Sequence, residues 1–386
     1  MKYNHTFPHV YMIKILLLNP IYVTIFWAIV LNLYKREAHQ PKVFLGWYMF
    51  VASWVYISHY FYFTQQFGVY YYLDSIYTLA YLLVYPMYHV YVRLLTVDSH
   101  FSFKKHLRFL VAPLAIFLLT AMGYIVMDKD EGVQFISDIL VHGKPPASTM
   151  QEVMYIVFVI GRLTFLFQTI FYLVISFRLI RSNNLRIQDY YSNMEERKLN
   201  WLQFFNICFA ITSTSSAALA VLGRNTFLEN PYLLVFPSVV FTLMLFFIGL
   251  LGNNQRAIFT EIDNTPDFMP EGKPPQRIKL KIDKLFEEEM IYKDPDLKIW
   301  DVSSMVGTNR TYVSNVINNA YGRNFCTHVN VYRIEHAKSL IQSNPNLTNQ
   351  QIAELAGFGS VNSLYRTFQT SEGVSLGQFR KQVNNS

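Results

Sequence analysis

Cysteine is scarce. The 386-residue chain has two, Cys208 and Cys326, far apart in sequence. That spacing excludes a disulfide framework and leaves no cysteine-based zinc pattern, so both are read as structural residues. Catalytic signatures are missing as well. There is no His-Glu-x-x-His, no phosphate-cradling glycine loop, no Gly-x-Ser-x-Gly and no kinase ATP-binding region. The sequence therefore reads as a non-enzyme with no catalytic residues, no metal and no cofactor, and a two-component histidine kinase is set aside. Charge is sparse too. Only 15% of residues are charged, against 52% hydrophobic and 17% aromatic, which is too apolar for an ordinary soluble chain.

What charge there is divides the chain. Residues 1–252 hold 18 Lys/Arg and 12 Asp/Glu, and residues 253–386 hold 15 and 14. The second stretch is about half as long and nearly as charged, so it reads as a water-soluble domain. Most of the net charge of +7 lies in the first stretch, outside the tail. The basic excess is thus no argument for DNA binding, which would rest on local placement of Arg and Lys.

Seven apolar stretches are long enough to cross a bilayer, which takes about 20 residues. They run at about 15–33, 44–63, 70–95, 107–127, 154–180, 201–222 and 232–251. The first is too long for a signal-peptide core and no small-residue cleavage site follows it. Alternate loops carry Lys35, Arg36 and Lys42; Arg93, Lys104, Lys105 and Arg108; and Arg178, Arg181, Arg186, Arg197 and Lys198. The opposite side has Lys2, Lys14, Lys129, Lys144 and Arg224, or 12 basic residues against 5. The positive-inside rule puts the richer set in the cytoplasm, the N-terminus outside and the C-terminus inside. The expected location is the cytoplasmic (inner) membrane of a bacterium. Residues 253–276, with four prolines and two flanking or internal glycines in 252–276, read as a linker.

An intramembrane charge costs about 2.5–3.5 kcal/mol on insertion scales, so each is informative. Asp74 and Arg162 fall inside the third and fifth spans, both in the outer half of the bilayer in this topology. They are a candidate sensing pair for a small-molecule or membrane signal, or a structural ion pair. His59 and His89 also lie within spans, where packing or hydrogen bonding is the plain reading. The third span is rich in tyrosine, and Thr212–Ser216 is polar for a span.

The tail carries a repeated pattern. An apolar helical stretch over Trp300–Val306 stops at Gly307 and is followed by a helix over Arg310–Asn319, capped by Asn309 or Thr308. Then Leu347-Thr-Asn-Gln-Gln-Ile352 reads as a capping box with Thr348 as cap and Gln351 three residues on. Its helix over Asn349–Ala356 stops at Gly357, and Val361–Thr370 follows. Between the copies, Phe325, Val329, Tyr332, Ala337, Leu340 and Ile341 form one stripe on an 18-residue helix over Phe325–Gln342. Such a rod is about 27 Å long. Successive major-groove faces lie about 34 Å apart along B-DNA, so one rod can hold two reader helices in neighbouring segments.

The stretches Gly307-Thr-Asn-Arg-Thr-Tyr-Val-Ser-Asn-Val-Ile317 and Gly357-Phe-Gly-Ser-Val-Asn-Ser-Leu-Tyr-Arg-Thr-Phe368 carry a resemblance to a known family. Together with Gly373, Phe379-Arg380 and Tyr332-Arg333-Ile334, they resemble the DNA-binding domain of AraC/XylS-type bacterial transcription regulators, over about 100 of the 386 residues. Two positions depart from the family pattern: Leu376 stands for its proline and Phe379 for its tyrosine. The fusion to a multi-span region is similar to membrane-embedded regulators of Bacteroidetes-type bacteria. The resemblance implies that the first reader helix presents Arg310, Thr311, Ser314 and Asn315 to DNA, and the second Val361, Asn362, Ser363 and Arg366. The chemistry fits: Asn pairs with adenine edges, Arg with guanine or phosphate, and Val with a thymine methyl. Thr311 and Ser363 also suit helix capping or solvation, and Arg366 a phosphate contact or an internal tie. Tyr312 and Phe368 are assigned to the core.

The expected protein is all-α. It has a seven-span bundle over 1–252, a linker over 253–276 and a cytoplasmic double helix-turn-helix domain over 277–386. The expected role is a one-component regulator with double-stranded DNA, a lipid bilayer and an unidentified signal as partners, and a second copy of the chain as a candidate partner. The alternative is an intramembrane enzyme or transporter carrying a DNA-binding tail.

Overall fold

A computed structural model describes residues 6–33, 40–98, 100–193, 199–221, 231–255 and 276–384, without side chains at 6–13, 212–221, 231 and 384. Most of the expected linker, 256–275, lies outside these residues, as do the side chains of Thr212–Ser216. Among the described residues the protein is helical with no strand, and its one pairing of extended backbone is an isolated bridge between Tyr191 and Lys298.

The chain forms two compact units: 1–181 with 200–259, and 182–199 with 260–386. The first unit contains α1 (Thr6–Asn32), α2 (Gln40–Phe63), α3 (Phe67–Thr96), α4 (Val111–Val126), the larger part of α5 (Thr149–Tyr190), α6 (Asn200–Val221) and α7 (Val235–Asn254). Each of the seven apolar stretches is therefore helical. Among the described residues three helices, Lys14–Asn32, Thr149–Tyr190 and Tyr232–Asn254, are long and apolar enough to cross a membrane. Phe103–Phe109 and Val111–Val126 qualify as a pair bent by 62°. α2 and α3 are long enough but dilute their apolar residues with Tyr, His and Ser, and the side chains of α6 are described only over 200–211, so the expected seven spans are not established by length and hydropathy.

Within this unit α1 packs on α2 and α7, α2 on α3, and α3 on α4. The α1–α7 approach depends on Gly249, where a Cβ would run into the indole of Trp27. Three polar side chains tie helices of this unit together. His89 Nδ1 lies 3.0 Å from Ser176 Oγ, Asn206 donates to the Leu173 carbonyl at 3.0 Å, and Ser238 to that of Leu16 at 2.7 Å. Beyond α3 the buried Asp98 accepts from Arg93 Nε at 2.7 Å and lies 3.0 Å from His106 Nε2, with Lys105 as a third partner. Much of the basic loop is thus tied to one carboxylate.

The second unit has two cores on one rod. α8 (Gln276–Glu287) buries Ile282, Leu285 and Phe286 against α9 (Ile299–Val306) and α10 (Arg310–Tyr321). α11 (Phe325–Ser343) is the rod. Its first half puts Phe325 and Val329 into that core, and its second half puts Ile334, Ala337 and Ile341 into the core of α12 (Asn349–Leu355), α13 (Val361–Glu372) and α14 (Leu376–Asn384). Its 19 residues span about 28 Å. The unit also takes in residues 182–199, which sequence order places between two apolar stretches.

Candidate functional site

Both helix-turn-helix copies are built by the local devices their sequence announces. α9 ends on Gly307 at φ +74°, and α12 is followed by Gly357 at φ +84°. Both values lie in the left-handed region, which glycine occupies without a Cβ clash. At Gly357 space is short as well, since a Cβ would approach the Tyr292 carbonyl oxygen to 2.5 Å. Asn309 caps α10, accepting from the Tyr312 amide at 3.0 Å, and Thr348 and Gln351 close the capping box of α12. Ser360 caps α13 by accepting from the Ser363 amide at 3.0 Å.

The two reader helices differ in what they present. On α13, Asn362 and Arg366 are exposed and Ser363 is half-buried, whereas Val361 leans on the second core. On α10, Thr311, Ser314 and Asn315 are half-buried, and Ser314 Oγ accepts from the Asn318 amide at 3.2 Å. Arg310 is 8% exposed, with its guanidinium 5.0 Å from the centre of the Tyr190 ring. Phe368 is fully buried, as assigned, while Tyr312 is only half-buried. The substituted positions of the closing helix are accommodated: Leu376 is buried in the second core and Phe379 packs on Phe368 with ring centres 5.3 Å apart. Arg380 donates to the carbonyls of Pro345 and Leu347 at 2.6 and 2.7 Å and fastens α14 to the start of the second copy.

Arg333 is the residue whose importance the sequence shows only as part of a signature. It is 1% exposed. Its Nε donates to the Tyr292 carbonyl at 2.8 Å, and its Nη2 to the Asp294 carbonyl at 2.6 Å and to Ser192 Oγ at 3.2 Å. It lies 5.8 Å from the Phe358 ring centre, so one guanidinium touches the segment leading into the first copy, the turn of the second copy and the segment from the end of α5. Burial lowers its pKa to about 10, which leaves it charged at neutral pH. Nearby His328 is fully buried among Phe286, Tyr321 and Tyr332, and burial, with Arg323 adding to it, lowers its pKa to about 4.

The first unit encloses a cavity of about 540 Å³, within the range of small-molecule sites. Seven tyrosines and six phenylalanines contribute to its wall, and Asp74 and Arg162 both line it. Asp74 is 8% exposed and accepts from Tyr124 Oη at 2.7 Å. The Arg162 guanidinium lies 4.6 Å from the Phe158 ring centre. The two residues singled out as intramembrane charges therefore share one chamber. His59, also on its wall, lies 3.2 Å from Tyr77 Oη. No cluster of metal-ligating residues occurs among the described residues.

Comparison with known proteins bears on the second unit. Neither the curated proteins nor the solved structures give a match. A family described as a helix-turn-helix domain matches residues 302–382, from α9 into the closing helix. The match supports an AraC-type DNA-binding domain over residues 302–382 of this chain, with double-stranded DNA as its partner and transcription regulation, not catalysis, as its role.

Proposed function

We propose that the chain is a membrane-embedded one-component transcription regulator. Its N-terminal helices sit in the bacterial cytoplasmic membrane and receive a small-molecule or bilayer signal. Its C-terminal unit reads double-stranded DNA in the cytoplasm. The observation that carries DNA reading is the pair of capped helix-turn-helix copies on one 19-residue rod, with Asn362 and Arg366 exposed at the start of a reader helix. Support for the membrane comes from the outer face of α5. Ile156, Ile160, Leu163, Phe167, Ile170 and Val174 are all exposed there at helical spacing. An apolar stripe of that length is costly in water and at home in lipid.

The cavity supplies a place for the signal. Its aromatic wall favours an apolar body, and Asp74 with Arg162 favours a polar group on it. To act, the ligand must bind one arrangement of the helices better than another; binding both equally shifts nothing. The same buried carboxylate favours a second reading, an intramembrane enzyme or transporter with a regulatory tail. Substrate uptake or turnover by the full chain in vesicles would establish that reading.

Two readers on one rod make a specific forecast. Full chain in nanodiscs, used to select duplexes from a random-sequence pool, should enrich two short motifs about 10 base pairs apart. Enrichment of one motif alone would mean that a single copy reads, and absence of enrichment would remove sequence-specific binding.

A further inference from the structure

Residues 188–193, at the end of α5 and just beyond it, form a short segment held against the rest of the second unit through Gln188, Tyr190, Tyr191, Ser192 and Asn193. Gln188 Oε1 accepts from the Asn324 amide at 3.1 Å. Tyr190 lies under the Arg310 guanidinium. Tyr191 bridges to Lys298, and the Ser192 amide and hydroxyl both donate to the Leu297 carbonyl, at 3.2 and 2.7 Å. The Ser192 carbonyl accepts from the Cys326 thiol at 3.4 Å, and its hydroxyl from Arg333. Asn193 occupies the space that a Cβ on Gly359 would need.

Two of these contacts stand where DNA would be read. Arg310 is the first residue of the first reader helix, and Gly359 lies in the turn before the second. Reader helices of this type address base edges with their N-terminal residues. The segment therefore touches the N-terminal approach of both readers at once. It covers a residue whose chemistry suits guanine or phosphate.

We propose that residues 188–193 are an intramolecular latch that occupies the DNA-facing side of the reader unit and withholds Arg310 from DNA until it is released. This rests on the DNA-reading function proposed above and adds its regulation. α5 runs unbroken from Thr149 to Tyr190, so the fifth apolar stretch continues as helix into the first three residues of the latch. A signal that moves that stretch is carried along the helix to Tyr190, whose ring lies against the Arg310 guanidinium.

The test uses full-length protein in nanodiscs with Cys208→Ser as background, so that Cys326 is the sole thiol. The duplex is whichever the background protein or its Tyr190→Ala Ser192→Ala variant enriches from a random-sequence pool. The double variant should label faster with maleimide at Cys326, which the segment now covers, and should bind the duplex at least tenfold more tightly at fixed salt. Arg310→Ala should then reverse most of that gain. Tyr190→Phe, which keeps the ring, should behave as the background protein does. Faster labelling with equal or weaker binding would overturn the latch and make the segment a support for reading. Unchanged labelling would overturn the assignment of docking to Tyr190 and Ser192. Circular dichroism separates release from unfolding, and if the double variant unfolds, Tyr190→Ala alone is measured by the same criteria. Recovery of no duplex by any variant would remove DNA reading itself, and the latch with it.

Discussion

The two helix-turn-helix copies are made alike and presented differently. Each has a short helix, a left-handed glycine and a reader helix capped by a polar side chain. In the second copy Asn362 and Arg366 face outward. In the first, Arg310 is buried under Tyr190, and its neighbours are half-covered. The difference lies in what packs beside the motif. The second copy is closed by its own chain neighbour, α14. The first borrows α8 from before it and residues 188–193 from far upstream. Local sequence therefore builds a reader, while distant sequence decides whether it is uncovered.

The largest test of that comparison is Arg333, which holds both copies and the upstream segment. Arg333→Met should destabilise the second unit by about 3–5 kcal/mol, because buried carbonyls lose a charged donor that nothing replaces. Hydrogen exchange in the full chain should show the loss along α11. Arg333→Lys should not restore protection, since an ammonium cannot span the forked set of acceptors. Near-native protection in either variant would mean that the two copies are held together by apolar packing alone.

Next in size is the difference in reading. Asn362→Ala should cost roughly 1–3 kcal/mol at one base pair of a selected duplex and little elsewhere. Asn315→Ala should cost less, because Asn315 is half-buried in the covered copy. Binding across single-base variants at fixed salt decides this. A uniform loss over all sequences would make Asn362 a backbone contact, and equal losses for the two would mean that the covering is no obstacle.

The smallest effect uses pH. His328, on the half of the rod that packs into the first core, is held neutral, its pKa lowered to about 4 by burial. The unfolded side chain titrates near 6.5 and so binds a proton first as pH falls. The stabilisation is therefore intact above about pH 6.5 and is lost on acidification toward pH 4. At pH 5.5 the loss is about 1.4 kcal/mol, one pKa unit below the unfolded value. Among the described residues, no buried polar or charged residue belongs to α12, α13 or α14. After correction for intrinsic exchange, α9 and α10 should lose about tenfold protection between pH 7 and 5.5, and α12 and α13 should not. Replacing His328 by Phe should flatten the difference; equal loss in both copies would assign the effect to other groups.

What could be read in the sequence follows the range of the interactions. Gly307, Gly357, the Thr348–Gln351 box and the stripe on the rod act over a few residues, and the structure puts each where its spacing indicates. The seven apolar stretches are all helical for the same reason. Whether each crosses a membrane depends on surroundings as well as on composition, and α2 and α3 show the gap with their many polar side chains. Placing Asp74 and Arg162 in one cavity needed tertiary structure, although their polarity within apolar runs marked them. The docked segment had no local signature. Ser192 meets Leu297 across 105 residues and Arg333 across 141. One clue was present: α5 continues after its apolar stretch into the polar run Arg181–Tyr190, which no bilayer requires.

We propose that one polypeptide sits in the bilayer and reads DNA on its cytoplasmic side. Sealed vesicles of opposite sidedness, made from cells expressing the full chain, test it directly with a selected duplex. Inside-out vesicles should bind the duplex and keep the protein after an alkaline carbonate wash, and right-side-out vesicles should bind none. Binding on the right-side-out surface, or release of the protein by the wash, would contradict the account.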